Sequence, residues 1–266
     1  MKLEVAGSAV YAYTGARAWA DTQPVMVFVH GAAHDHSVWA LQSRYFAHHG
    51  ANVLALDLPG HGRSDGAALS SIEALAAWLV AVLDAQQVSQ ATLVGHSMGA
   101  LAVLECAARH PRRVARLALL GPAVPMEVSD DLLAAAGDDV GLAYALINGW
   151  SFGPRGTIGG NALPGVWMVG NGLRLMERNA EGVLAIDLRA CRDYTAGLAA
   201  AAAVTCPTLV IVAGRDLMAP ARTARALLDA LPRRDLVRLE AAGHALMAEE
   251  PDAVLDALRT FVTAAR

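Results

Sequence analysis

Gly95-His96-Ser97-Met98-Gly99 has the residue types and spacing of a serine held on a sharp turn. It follows the apolar run ATLV and opens the helix-forming run MGALAVLECAARH. A serine between a strand and a helix, with glycines two positions away on either side, is the G-x-S-x-G nucleophile elbow. The glycines let neighbouring chain approach a strained backbone, and the helix N-terminus favours negative charge beside the hydroxyl. The same five residues in isolation also describe an ordinary tight turn. A serine nucleophile needs a base, and the base needs an orienting acid. Asp216 follows the strand-like run TLVIV, in AGRDLMAP, and His244 follows LVRLE, in AAGHALM. The order serine, acid, histidine is one such triads adopt. The competing readings are a helix cap or solvated turn for Asp216 and a surface loop histidine for His244. An oxyanion needs two amide donors: the residue after the nucleophile, Met98, and Ala32 in the loop His30-Gly31-Ala32-Ala33-His34-Asp35-His36. His30 reads as a brace for that loop. His34, Asp35 and His36 invite a metal reading, but no further His or Cys cluster completes a four-ligand set by spacing, so bracing or a pocket wall is favoured.

These residues must be positioned by alternating strands and helices. Apolar runs at Val25–Val29, Asn52–Leu56, Ala91–Val94, Leu117–Leu120, Thr208–Val212 and Leu236–Leu239 read as buried strands. Amphipathic stretches at Val38–His49, Ile72–Leu83, Met98–His110, Ala221–Leu231 and Asp252–Thr263 read as helices that cover both sheet faces. Ser70 with Glu73 fits a capping box, and Lys2–Tyr13 reads as a hairpin turning at Gly7-Ser8. The rhythm breaks between about Val124 and Val204. Within Gly149–Gly172, 8 of 24 residues are glycine, with Trp150, Phe152, Trp167 and Met168 among them. Such an insertion suits a lid or binding element, the plainer alternative being a helical excursion that packs on the core. Its apolar and aromatic content suggests an apolar pocket, with His34, Trp150, Phe152, Trp167, Met218 and Leu246 as candidate substrate contacts. Arg155, Arg174 and Arg178 are candidates for a carboxylate, against a default of solvation.

The bulk properties exclude other classes. The 266 residues are 55% hydrophobic and 17% charged, which supplies a core and rules out general disorder. A net charge of −4 lacks the footprint of a nucleic-acid or anionic-membrane binder. Cys106, Cys191 and Cys206 form no CxxC pair, and their odd number argues for a reducing compartment. The 21 uncharged residues from Tyr194 to Gly214 are split by Pro207 into a helix and a strand, so they read as buried rather than membrane-spanning. The N-terminus fails as a signal peptide, and a cytoplasmic location is expected.

HGAAHDHSVW, DLPGHGRSDG, GHSMGA, GRDLMAP and AAGHALMAEEPD occur in an order that resembles the α/β-hydrolase superfamily with a cap domain, over essentially the whole chain. The resemblance implies an eight-stranded, mostly parallel sheet flanked by helices, residues 1–123 and 205–266 forming the core. A helical cap, 124–204, would be inserted after the sixth strand. It carries over Ser97, Asp216 and His244 as the triad and Ala32 and Met98 as oxyanion donors. Dehalogenases and epoxide hydrolases of the superfamily place aspartate at the elbow, so Ser97 points to acyl transfer, and a carboxylic ester of a small to medium apolar substrate is expected. Carbon–carbon hydrolases usually carry asparagine before the serine and tryptophan after the histidine, where this chain has His96 and Ala245. Acyltransferase and perhydrolase chemistry use the same triad, and a non-catalytic ligand receptor is the remote alternative. No metal or organic cofactor is implied.

Overall fold

The computed structural model describes residues 1–157 and 165–264; residues 158–164 of the glycine-rich stretch lie outside the described residues. Eight strands form one sheet: β1 (Lys2–Val5), β2 (Ser8–Tyr13), β3 (Val25–Val29), β4 (Asn52–Leu56), β5 (Ala91–His96), β6 (Val114–Leu120), β7 (Thr208–Ala213) and β8 (Arg234–Leu239). Their spatial order is β1-β2-β4-β3-β5-β6-β7-β8. From β4 to β8 every pairing is parallel, and the opening hairpin is antiparallel.

The helices are α1 (Ala40–His48), α2 (Ile72–Ala85), α3 (Met98–Arg109), α4 (Asp130–Asp138), α5 (Val140–Ser151), α6 (Pro154–Thr157), α7 (Met168–Met176), α8 (Val183–Asp193), α9 (Gly197–Ala203), α10 (Arg225–Ala230), α11 (Leu246–Glu249) and α12 (Pro251–Thr263). Side chains alternate across the strands and both faces are buried, which explains the unbroken apolar runs. Val27, Val29, Leu54, Leu56, Leu93, Leu117, Leu119 and Val210 pack on one side with α2, α3, α9 and α10. Met26, Phe28, Val53, Val94, Leu120, Leu209 and Ile211 pack on the other with α1, α11 and α12. Full burial of side chains such as Phe261, Leu258 and Val254 on α12 stabilises by roughly 1.5–3 kcal/mol each.

Two local expectations shift by one residue. The hairpin turns at Ala6-Gly7, both with positive φ (49° and 79°), because a two-residue turn matching the strand twist needs that conformation twice. Helix α2 is capped by Ser71, not Ser70: its hydroxyl accepts from the Ala74 amide at 3.1 Å. Ile72 is fully buried, so packing sets the phase of the helix and places Ser71 in the extended conformation that a cap requires.

Between β6 and β7 lie α4 to α9; α4, α5, α7 and α8 form a separate apolar cluster that includes Leu132, Leu133, Tyr144, Ile147, Met176, Leu184 and Leu188, while α9 packs with the sheet-face cluster. Ala33, from the loop after β3, packs into this cluster. Among the described residues no helix is long and apolar enough to cross a membrane.

Candidate active site

Parallel register is what assembles the site. Val29 pairs with Gly95, Gly95 with Leu119, Leu120 with Ile211, and Ala213 with Leu239. The loops leaving β3, β5, β7 and β8 therefore emerge at one edge, where ligands of open α/β sheets gather. They carry Gly31-Ala32, Ser97, Asp216 and His244 respectively.

Ser97 sits between β5 and α3 with φ 54° and ψ −120°, a strained conformation for a side-chain-bearing residue. Its amide donates to Leu120 O at 3.0 Å, and its hydroxyl makes no cap bond to α3. The flanking glycines are demanded by space. A Cβ on Gly95 would lie 2.3 Å from Gly99 O, and one on Gly99 would lie 2.4 Å from Val29 O. The turn is thus locked between β3 and α3, with the hydroxyl at the helix N-terminus.

Asp216 and His244 meet as the chain order suggested they might. His244 Nδ1 donates to Asp216 Oδ2 at 2.7 Å, both groups being buried. The other carboxylate oxygen accepts the Met218 and Ala219 amides at 2.8 and 2.7 Å. Burial alone would raise the Asp216 pKa, but the His244 ring and these amides outweigh it and hold the carboxyl below its usual value. With Nδ1 protonated toward Asp216, Nε2 is the imidazole's basic nitrogen. Ser97 and His244 border the same small cavity without a hydrogen bond between them; such bonds are often formed only with substrate in place.

The loop of Ala32 is braced by its own histidines. His30 Nδ1 donates to Gly31 O at 2.8 Å and His30 Nε2 accepts from Leu58 N at 3.1 Å, which makes the ring neutral. Burial holds the His30 pKa well below the usual value, in agreement. His34 Nδ1 donates to Ala32 O at 2.6 Å. His96 Nε2 donates to the carbonyl of His244 at 2.9 Å, so the residue before the serine steadies the loop bearing His244. Burial keeps His96 neutral by pushing its pKa well down.

The histidines and acids of the metal reading converge only in part. Asp35, His36 and Asp57 come together, but Asp57 accepts from the His36 amide and ring and from the Arg63 amide. Asp35 caps Ser37 and pairs with Arg178 at 3.4 Å. The cluster is spent on bracing, and His34 lies elsewhere, as a cavity wall.

Two cavities flank His34, His96, Ser151 and His244. The smaller, about 60 Å³, is lined by Ser97 and Ala32, by apolar Met126, Val128, Leu132, Ile147, Leu188 and Met218, and by Glu127. The larger, about 540 Å³, runs between α1, α5, α7 and α11, past Phe152 and Met168 to Arg174 and Arg178. Of the candidate substrate contacts, His34 borders both, Met218 the small one and Phe152 the large one. Trp150, Trp167 and Leu246 line neither. Trp150 packs within the insertion, Trp167 is 69% exposed, and Leu246 is fully buried against the sheet. Aromatic content pointed to the insertion but could not say which ring faces inward. Arg174 is paired with Glu177, and Arg155 with Glu250 at 3.9 Å.

Three residues that sequence reading passed over hold the site together. Glu249 accepts from the Gly243 amide at 2.8 Å and the Gly153 amide at 2.9 Å, tying the histidine loop to the end of α5. Asp187 and Asn179 reach from the insertion to the loop of Ala32. The bonds to Gly153 and Ala33 span 96 to 154 residues, and no local motif announces them.

Comparison with known proteins agrees with this fold. Residues 24–251 match the profile described as alpha/beta hydrolase fold. A pimeloyl-[acyl-carrier protein] methyl ester esterase from Aromatoleum aromaticum is 29% identical over 245 residues, covering 86% of this chain and 94% of that protein. A putative carbamate hydrolase from Klebsiella pneumoniae is 29% identical over 269 residues, covering 91% and 92%. The crystal structure of an enol-lactonase from Burkholderia xenovorans superposes with a TM-score of 0.86 at 24% identity, covering 99% of this chain and 100% of the other. With the elbow, the sheet order and the profile match all in agreement, this chain belongs to the alpha/beta hydrolase fold family.

Proposed function

We propose that the protein is a serine hydrolase that cleaves carboxylic esters of small to medium apolar substrates through an acyl-enzyme on Ser97. The observation that carries this reading is the 2.7 Å bond from His244 Nδ1 to buried Asp216, at the rim of the cavity that holds Ser97. In the reaction, Ser97 Oγ attacks the ester carbonyl carbon while its proton passes to His244 Nε2. The carbonyl oxygen becomes an oxyanion facing the Ala32 and Met98 amides. Collapse breaks the C–O bond, and the departing alcohol takes the proton from His244. Water then attacks the acyl-enzyme, gives its proton to His244, and the second tetrahedral intermediate releases the carboxylic acid as the proton returns to Ser97. Asp216 orients His244 and stabilises its imidazolium without itself being protonated.

The two cavities suggest which half of the ester lies where. The acyl carbon must sit on Ser97, in the small apolar cavity. The alcohol must lie where His244 protonates it, and the large cavity has His244 but not Ser97 in its wall. The reading is therefore a short acyl group on a bulkier alcohol, with α4 to α9 acting as a cap over both. The test is hydrolysis of p-nitrophenyl esters of two to eight carbons by wild type and Ser97→Ala, with a fluorophosphonate adduct followed by intact mass. A serine-dependent adduct and a kcat/KM maximum at short chains support the reading; turnover retained in purified Ser97→Ala overturns it.

A further inference from the structure

The loop after β3 makes a turn in which the His34 amide donates to Gly31 O at 3.3 Å, with Ala33 in its third position at φ 52°. Glycine is the residue that takes this left-handed conformation without strain, and here an alanine occupies it. What holds it comes from the helical insertion. Asp187 of α8 accepts the Ala33 amide at 2.9 Å, and Asn179, between α7 and α8, donates to the Ala33 carbonyl at 2.7 Å. Asp187 is itself fixed by His61 at 2.8 Å, from the loop after β4. His34 Nδ1 takes the Ala32 carbonyl. The amides of Ala33 and His34 are thus consumed internally, and that of Ala32 is left without a protein acceptor among the described residues. It is the amide an oxyanion requires.

We propose that Asp187 and Asn179 are positioning residues which clamp Ala33 from both sides and so aim the Ala32 N–H at the reacting carbonyl oxygen, making the docked insertion a working part of the oxyanion hole as well as a wall of the pocket. The inference rests on the acyl-enzyme reading above. Neither residue borders the small cavity, so the clamp acts through the loop and not through substrate contact. Ala33 is fully buried against the insertion's apolar cluster, which supports the same docking. An insertion displaced from this position would release the strained turn and lose the donor.

The experiment measures kcat and KM for p-nitrophenyl acetate, and Ki for phenylboronic acid, which forms a tetrahedral serine adduct. The proteins compared are wild type, Asn179→Ala, Asp187→Ala, Asn179→Ala with Ala33→Gly, and Ser97→Ala. Outright loss of one oxyanion donor costs about 10²–10³-fold in kcat, and a misaimed donor costs less. Each single clamp variant is expected to lower kcat about 10–100-fold with KM within about threefold, since only the transition state uses the donor. Ki should rise in parallel, and Ala33→Gly should restore part of the Asn179→Ala loss by relieving the turn. Asp187→Ala removes the partner of buried His61 and is vulnerable to misfolding. Asn179→Ala leaves that pair intact, and it decides the case. A kcat within twofold of wild type in Asn179→Ala, or a raised KM at unchanged kcat, overturns the clamp. Ser97→Ala separates the two levels: if it retains turnover the serine reading itself fails, and if it is inactive while the clamp variants are normal only the clamp fails.

Discussion

Replacing Asp216 by asparagine changes one oxygen to an NH2 group, and the structure dictates where that group must go. One carboxylate oxygen accepts two backbone amides, from Met218 and Ala219, at 2.8 and 2.7 Å. The asparagine oxygen must keep that position, because an NH2 there would face two donors. The NH2 then faces His244 Nδ1 in place of the oxygen now 2.7 Å away. Two donors cannot share that contact, so the imidazole takes the tautomer with Nδ1 bare and Nε2 protonated. Nε2 can no longer accept the Ser97 proton, and the imidazolium loses its counter-charge. By analogy with other serine triads, kcat should fall about 10³–10⁴-fold, which corresponds to roughly 4–5.5 kcal/mol of transition-state stabilisation. The assay is p-nitrophenyl acetate hydrolysis by wild type and Asp216→Asn under identical conditions, with thermal unfolding to show that both are folded. A folded Asp216→Asn enzyme within about tenfold of wild type would refute the tautomer argument. Glu127→Gln is the companion variant, since Glu127 also borders the small cavity. Should it abolish activity while Asp216→Asn does not, the orienting acid is Glu127.

Gly99→Ala should cost about 3 kcal/mol or more and abolish fluorophosphonate labelling, because the new methyl would lie 2.4 Å from a backbone oxygen that cannot yield; wild-type melting and labelling would contradict the steric account of the elbow. Ile147→Ala should enlarge the small cavity and raise the kcat/KM ratio of butyrate to acetate esters about tenfold, at about 2–4 kcal/mol of stability. An unchanged chain-length profile would move the acyl group out of that cavity. Stability should also depend on pH through two groups of opposite sign. Burial opposes the charged form of His61, but Asp187 first, then the Pro59 carbonyl and Asp57, raise its pKa above the usual value, with the His30 ring 5.0 Å away and neutral. Its contribution is therefore complete below about pH 6.5 and is lost as pH rises through the raised folded value. Asp216 behaves inversely: its contribution is present above the ordinary carboxylate value near about 4 and disappears as pH falls through the lowered one. Melting temperature against pH for wild type and His61→Gln checks this, and an identical alkaline slope in both would exclude His61 as its source.

The elements that build the sheet were legible because their cause is local. Asn52–Leu56 is apolar on both faces and has the same limits in sequence and structure, since a strand buried on both sides admits little else. The elbow was legible for the same reason: strand, two glycines and helix are contiguous, and their mutual sterics are written in five residues. Asp216 and His244 could be named because each follows a strand whose end lies at the shared edge once the sheet is parallel. Phase at the Ser70/Ser71 cap was not legible, because burial of Ile72 settles it. Nor was the inward or outward sense of Trp150, Trp167 and Leu246, which depends on how α5, α7 and α11 dock.

What the chain order alone determines, then, is the scaffold and the types of residue offered at the edge where its loops meet, because local sterics and period set both. What only the tertiary structure decides is the wiring between distant segments. The Asp187–Ala33 and Asn179–Ala33 bonds span 154 and 146 residues, and the Glu249–Gly153 bond spans 96. Such pairs are selected by burial, where an unpaired amide or carboxylate is costly. Burial is a property of the packed chain, with no counterpart in the linear one.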